Sequence, residues 1–122
     1  MKRNFLTSTL GAVALLGLGS VLAFAQPKGD TAKIKGEVID LWCYLEGGDH
    51  GADHKACGTA CAKAGNPIAL LTDKGEIYIL LGIQDHQPGQ EVLIEKMSET
   101  VTVEGTLVKK GGTQAIYVSA VK

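Results

Sequence analysis

The chain has 122 residues, 45% of them apolar and 5% aromatic, with a formal net charge of −1. That is enough for one small core and excludes a multi-domain protein. The charge balance lacks the basic stripe a nucleic-acid partner would need.

Residues 1–25 read as an export signal. Met1-Lys2-Arg3 is a short positive region, Leu10 to Leu22 is an apolar run, and Ala23-Phe24-Ala25 fits the small-x-small cleavage rule. Gln26 would then be the first mature residue. An uncleaved anchor is the alternative, but the run is short for a span of ~20 residues. No cysteine follows it to carry a lipid anchor. Cleavage leaves a periplasmic or secreted chain that is not embedded in a membrane. It carries ten lysines, no arginine and thirteen acidic residues, a formal charge of −3. Without arginine there are no bidentate guanidinium clamps for phosphate or carboxylate.

Residues 26–33 are polar, contain Pro27 and Gly29, and are expected to form a flexible leader ahead of a domain over 34–122. Ile34 to Leu41 alternates as a strand, with Gly36 marking a bulge or bend. If the alternation continues, Trp42 and Tyr44 face away from Cys43 and pack in the core or shield a site. Glu46 to Gly51 is loop by composition. Asp53 is expected to cap a helix from His54 to about Ala64, stopped by Gly65-Asn66-Pro67. Ile68 to Thr72 and Glu76 to Leu81 form a hairpin about Asp73-Lys74-Gly75. Residues 82–89 are loop, and Gln90 to Ser98 reads as one short helix. Thr100 to Lys109 and Gln114 to Val121 form a second hairpin about Gly111-Gly112. Glu91, Glu95 and Glu99 recur at helical spacing and are expected on a solvated face.

Five strands with a helix between the third and fourth predict a mainly β chain. The expected fold is an OB-like Greek-key barrel with an enlarged, helical loop between the first two strands. An open α+β sheet is the alternative.

That loop holds every cysteine. Cys43, His54, Cys57 and Cys61 lie within 19 residues. On a helix of 3.6 residues per turn, His54, Cys57 and Cys61 share an arc of about 60°. Cys43 would close the set from across the loop. Thiolates with an imidazole suit zinc first and copper(I) second, and iron is also acceptable. His50, His86 and Asp40 are candidate accessory residues, Asp40 as an outer-shell carboxylate. Four protein ligands leave no open position, which points to structural or metal-handling use rather than catalysis. An envelope protein is a candidate partner for such handling.

An oxidising compartment offers another reading. A disulfide from Cys43 to Cys57 or Cys61 would staple the loop and leave one thiol over, in a binding or interaction module without metal. A thiol oxidoreductase is the third reading, although the chain has no C-x-x-C pair. No haem-attachment or phosphate-loop motif is present either.

The residues Gly36-Glu37-Val38-Ile39-Asp40 leading to Cys43, and Val101 to Val108, carry a resemblance. So does the group Asp40, Cys43, His54, Cys57 and Cys61. Over residues 34 to 121 the chain resembles small exported bacterial OB-fold proteins of largely unassigned function. The resemblance implies the fold, and carries no catalytic residue onto this chain.

Overall fold

The structure, a computed structural model, describes residues 27–122. The expected export signal lies outside them. Five strands form a closed barrel: β1 (Asp30–Asp40), β2 (Ile68–Leu71), β3 (Ile77–Gly82), β4 (Thr100–Lys110) and β5 (Thr113–Val121). Around the barrel they run β1-β2-β3-β5-β4. All pairings are antiparallel except β3 with β5, which is parallel and completes closure. Three short helices accompany them: α1 (Leu41–Gly47), α2 (Lys55–Lys63) and α3 (Gln90–Leu93). A mainly β, five-stranded barrel was expected, and the open-sheet alternative is excluded.

β1 is long because it serves two neighbours. Asp30 to Glu37 pairs with β4, and Glu37 to Asp40 pairs with β2. Gly36 sits at the handover, where a Cβ would stand 2.6 Å from the Leu71 carbonyl oxygen. The bend expected at Gly36 is therefore a close backbone approach. The register shift itself lies between Glu104 and Gly105. The strand also begins four residues earlier than expected. Asp30, Thr31 and Lys33 are polar and exposed and Ala32 is half-buried, and their partners are Leu107 to Glu104 on β4. Ladder pairing decides the conformation there, so the leader ends before Asp30.

Both hairpins form where turn chemistry placed them. Gly75 adopts φ 78°, and Gly111 and Gly112 adopt 58° and 77°, as tight hairpin turns require. The helix expected over Gln90 to Ser98 is shorter: α3 gives way to a 3₁₀ turn over Ile94–Lys96. It still delivers Leu93 and Met97, both fully buried, into the barrel.

The core contains Val38, Ile68, Leu70, Leu80, Val103 and Ile116 together with Leu93 and Met97. A second, smaller cluster forms on the other face of β1 and β2. There Ile39, Ala69 and Leu71 are covered by Leu41, Tyr44 and Ile77. This explains why Ile-Ala-Leu-Leu in β2 is buried at every position: one face lines the barrel and the other lies under α1.

Glu91 and Glu95 are exposed as expected, but Glu99 is engaged. Its carboxylate accepts hydrogen bonds from Lys55 (2.9 Å) and Lys96 (3.2 Å), tying α2 to the start of β4. Glu104 is held in the same way by Lys122 (2.7 Å) and Lys33 (3.1 Å). The bonds from Lys55 and then Lys96 lower the pKa of Glu99, and those from Lys122 and then Lys33 lower that of Glu104. A carboxylate with a lowered folded-state pKa contributes stability above its unfolded value of about 4.3, lost as pH falls through the folded value.

A Cβ at Gly105 would lie 2.0 Å from the Tyr117 carbonyl oxygen, so Gly105→Ala should destabilise by roughly 2–3 kcal/mol in urea denaturation. Thermal stability should fall on acidification from about pH 5 toward pH 3, and Glu104→Gln should flatten that fall in melting experiments across pH.

Candidate metal centre

The site begins where β1 stops. Asp40 is fully buried, and its carboxylate oxygens accept from the backbone N–H groups of Trp42 and Cys43, each at 3.3 Å. It is thus the N-cap of α1, satisfying donors that the first helical turn leaves free. Gly48 closes the helix in a left-handed conformation, its N–H bonded to the Tyr44 carbonyl at 2.9 Å.

This helix overturns the expected extension of the strand through Leu41 and beyond. On a helix, Trp42 and Tyr44 no longer alternate against Cys43. Tyr44 packs on the outer cluster, whereas Trp42 is 62% exposed and belongs to no core. The missed signal was Asp40 itself, a capping residue directly ahead of a run without helix breakers.

The chain then crosses a glycine-rich loop pinned by Glu37. That carboxylate binds the Gly51 N–H, and lies 3.0 Å from His50 Nδ1. The His50 ring also meets Tyr44 edge-on, with centroids 5.9 Å apart. His50 is therefore committed to the loop clasp and falls in neither group of donors described below.

A 3₁₀ turn over Ala52–His54 runs straight into α2. Asp53 lies inside that turn and is exposed, so it does not cap α2 as expected. The continuous backbone leaves no break for a cap, and the residue at the cap position is His54, without a side-chain cap bond. The stop was placed correctly: Gly65 adopts φ 107°, and the Asn66 N–H reaches back to the Cys61 carbonyl. Gly58 and Ala62, one turn apart, are the buried residues of α2. A Cβ at Gly58 would stand 3.1 Å from Met97 Sδ, so glycine lets the helix settle onto the barrel.

This arrangement brings five donor residues together. The ligand atoms of Cys43, His54 and Cys57 lie within 4.8 Å of one another, as do those of Asp40, Cys43 and Cys61. Cys43 belongs to both groups. Its Sγ stands 3.8 Å from Cys61 Sγ, and all three cysteines are free thiols. His54 Nε2 is buried and has no hydrogen-bond partner. A buried imidazole nitrogen with nothing to bond is costly unless something else occupies its lone pair. His86 lies elsewhere, 91% exposed in the loop after β3, its Nδ1 3.0 Å from the carboxylate of Asp85 beside it.

The Cys43 and Cys61 thiols resist ionisation. The Asp40 carboxylate beside the Cys43 thiol raises its pKa far above the ordinary value, and burial and Cys61 add to this. At Cys61 the bond from Cys43 works the other way, but burial and Cys57 outweigh it and the net shift is upward. A nucleophilic cysteine needs the opposite shift. A dication among these groups stabilises their thiolates, so metal uptake would release protons.

No family model, curated protein or solved structure matches the chain. Among the described residues, no helix is long and apolar enough to cross a membrane.

Asparagine caps helices about as well as aspartate. In the reduced, metal-free protein, Asp40→Asn should therefore keep most of the stability, whereas Asp40→Ala should lose about 1 kcal/mol or more. Chemical denaturation of the two variants side by side measures the difference.

Proposed function

We propose that this chain is an exported, OB-like barrel protein that binds one transition-metal ion through Cys43, His54, Cys57 and Cys61. Zinc is the first choice and copper(I) the second, in a structural or metal-handling role. The observation that carries this reading is the pair of donor groups sharing Cys43, one of which includes His54, a residue whose buried Nε2 has no hydrogen-bond partner.

The sulfur spacing supports it. Two thiolates on a tetrahedral ion with bonds of ~2.3 Å stand about 3.8 Å apart, the separation of Cys43 and Cys61. Asp40 fits an outer position, because its oxygens already serve the Trp42 and Cys43 amides. From there it orients Cys43 rather than replacing a ligand.

The surrounding chain gives the ion a structural task. None of residues 41–57 is buried, so this long excursion from the barrel has little apolar packing of its own. Small domains commonly fasten such segments with a metal or a disulfide. Export accords with the arginine-free, mildly acidic mature composition and with the signal-like residues 1–25.

Reduced, metal-free protein titrated with zinc against a competing chromogenic chelator should take up one ion per chain. Free zinc at 100 times its dissociation constant should add about 2.7 kcal/mol of stability. Cys43→Ser should weaken binding by at least ~10–100-fold, the loss seen when even a supporting residue is removed. Its circular dichroism should retain the barrel signature. No zinc uptake by the reduced wild-type chain would overturn the reading.

A further inference from the structure

We propose that Cys43 and Cys61 form a thiol–disulfide switch that expels the bound metal when the protein meets a disulfide oxidant. This inference rests on the metal-binding reading and adds a regulation to that same site.

The choice of pair follows from where the sulfurs are carried. Cys43 sits on α1 and Cys61 on α2, so each can approach the other without distorting a shared helix. Their Sγ atoms stand 3.8 Å apart, and a disulfide requires about 2.05 Å. Side-chain rotation and a small helix displacement cover that gap. Cys57 and Cys61 are less suited, because residues four apart on one helix keep their Cβ atoms ~5–6 Å apart, against the ~3.8 Å a disulfide prefers. Both Cys43 and Cys61 are half-buried rather than sealed, so an oxidant can reach them.

The step balances without any group beyond the oxidant, a small-molecule or protein disulfide. One of the two sulfurs, held as a thiolate because cation uptake has displaced its proton, attacks a sulfur of the oxidant, forming a mixed disulfide and releasing the first thiolate product. The other thiolate then attacks the protein sulfur of that mixed disulfide and releases the second. Cys43 and Cys61 together lose two electrons, which leave on the two product thiolates. The metal ion keeps its charge throughout.

The consequence for the site is large because Cys43 belongs to both donor groups. The disulfide withdraws two of four ligands and leaves only His54 and Cys57, neighbours on one turn. Two donors do not retain an ion that four were needed to enclose. The barrel is unaffected, since none of the three cysteines belongs to its core. The switch would therefore release metal without unfolding the domain, and a reductant would restore the site.

The test uses the wild-type protein, first loaded with zinc under reducing conditions and then freed of reductant. Glutathione disulfide is added, released zinc is read with a chromogenic chelator, and the cysteine pairing is mapped by mass spectrometry of unreduced peptides. The expected result is loss of one zinc per chain together with a Cys43–Cys61 crosslink and an alkylatable Cys57. Addition of reductant should restore one zinc per chain. Zinc retained after the crosslink forms would overturn the switch, as would a different cysteine pair or no crosslink at all. Those outcomes leave the metal-binding reading standing. Failure of the reduced protein to load zinc defeats that reading instead, and the switch with it.

Discussion

The site depends on a single buried carboxylate. Asp40 has no exposed surface, and burying a carboxylate is expensive unless its oxygens are hydrogen-bonded. The partners available are the amides of Trp42 and Cys43, which can be reached only if the chain turns from strand to helix immediately after Asp40. The position of Asp40 is itself set by the barrel. Its Cα partner is Ile68 on β2, and Val38 and Ile39 just before it are buried in the inner and outer clusters respectively. Packing on two faces of one strand thus fixes a capping residue, the cap fixes the helix, and the helix fixes Cys43.

The opposing half of the site is fixed by independent means. Gly58 and Ala62 seat α2 against the barrel, and Lys55 binds Glu99 at its first turn. The ion pair is half exposed and contributes little energy by itself, so the seating of α2 rests on Gly58 and Ala62. Cys57 and Cys61, with His54 in the turn just ahead of them, are then presented toward Cys43 by a helix whose register cannot slip without unseating Ala62 from the core. Sulfur atoms from two separately anchored helices meet at 3.8 Å. Preorganisation of this kind lowers the ordering cost of binding, because the scaffold has already placed the donors.

Much of this was legible in the residues. Alternation and turn chemistry gave the two hairpins, since Gly75, Gly111 and Gly112 can take without strain the positive φ that tight turns require. The three- and four-residue spacing of His54, Cys57 and Cys61 predicts one shared helical face; in the structure His54 lies in the turn ahead of α2, and Cys43 meets His54 and Cys57 in one group and Cys61 in another. What the sequence concealed was set by tertiary pairing. Asp30 to Lys33 look like a polar leader until β4 supplies their ladder partners. Leu41 to Tyr44 has the aromatic content of a strand, and the competing helix depends on where β1 ends. His50 lies thirteen residues from Glu37, so nothing in its local sequence revealed that the carboxylate would claim it. Asp53 looked like a cap because the 3₁₀ turn that absorbs it begins at Ala52, with Gly51 in an unusual backbone conformation.

An odd cysteine count is awkward for a purely disulfide-bonded domain and natural for a metal site. Three thiolates and an imidazole complete a tetrahedron, whereas one disulfide consumes two sulfurs and leaves the third without a structural task. The arrangement around Cys43 reconciles the two chemistries. Cys43 and Cys61 are spaced as the edge of a metal tetrahedron and yet lie within reach of each other, while Cys57 is the exposed member. On the proposed reading, metal and disulfide would be alternative fastenings of the same two helices. Each would supply the crosslink that residues 41–57, with no buried side chain among them, do not obtain from packing. Closing a loop of this size, about 15–20 residues, restricts the unfolded chain by around 3 kcal/mol, a large fraction of the margin by which a small domain stays folded. The oxidised form would keep that fastening while giving up the ion, so the loss of metal need not cost the loop its order.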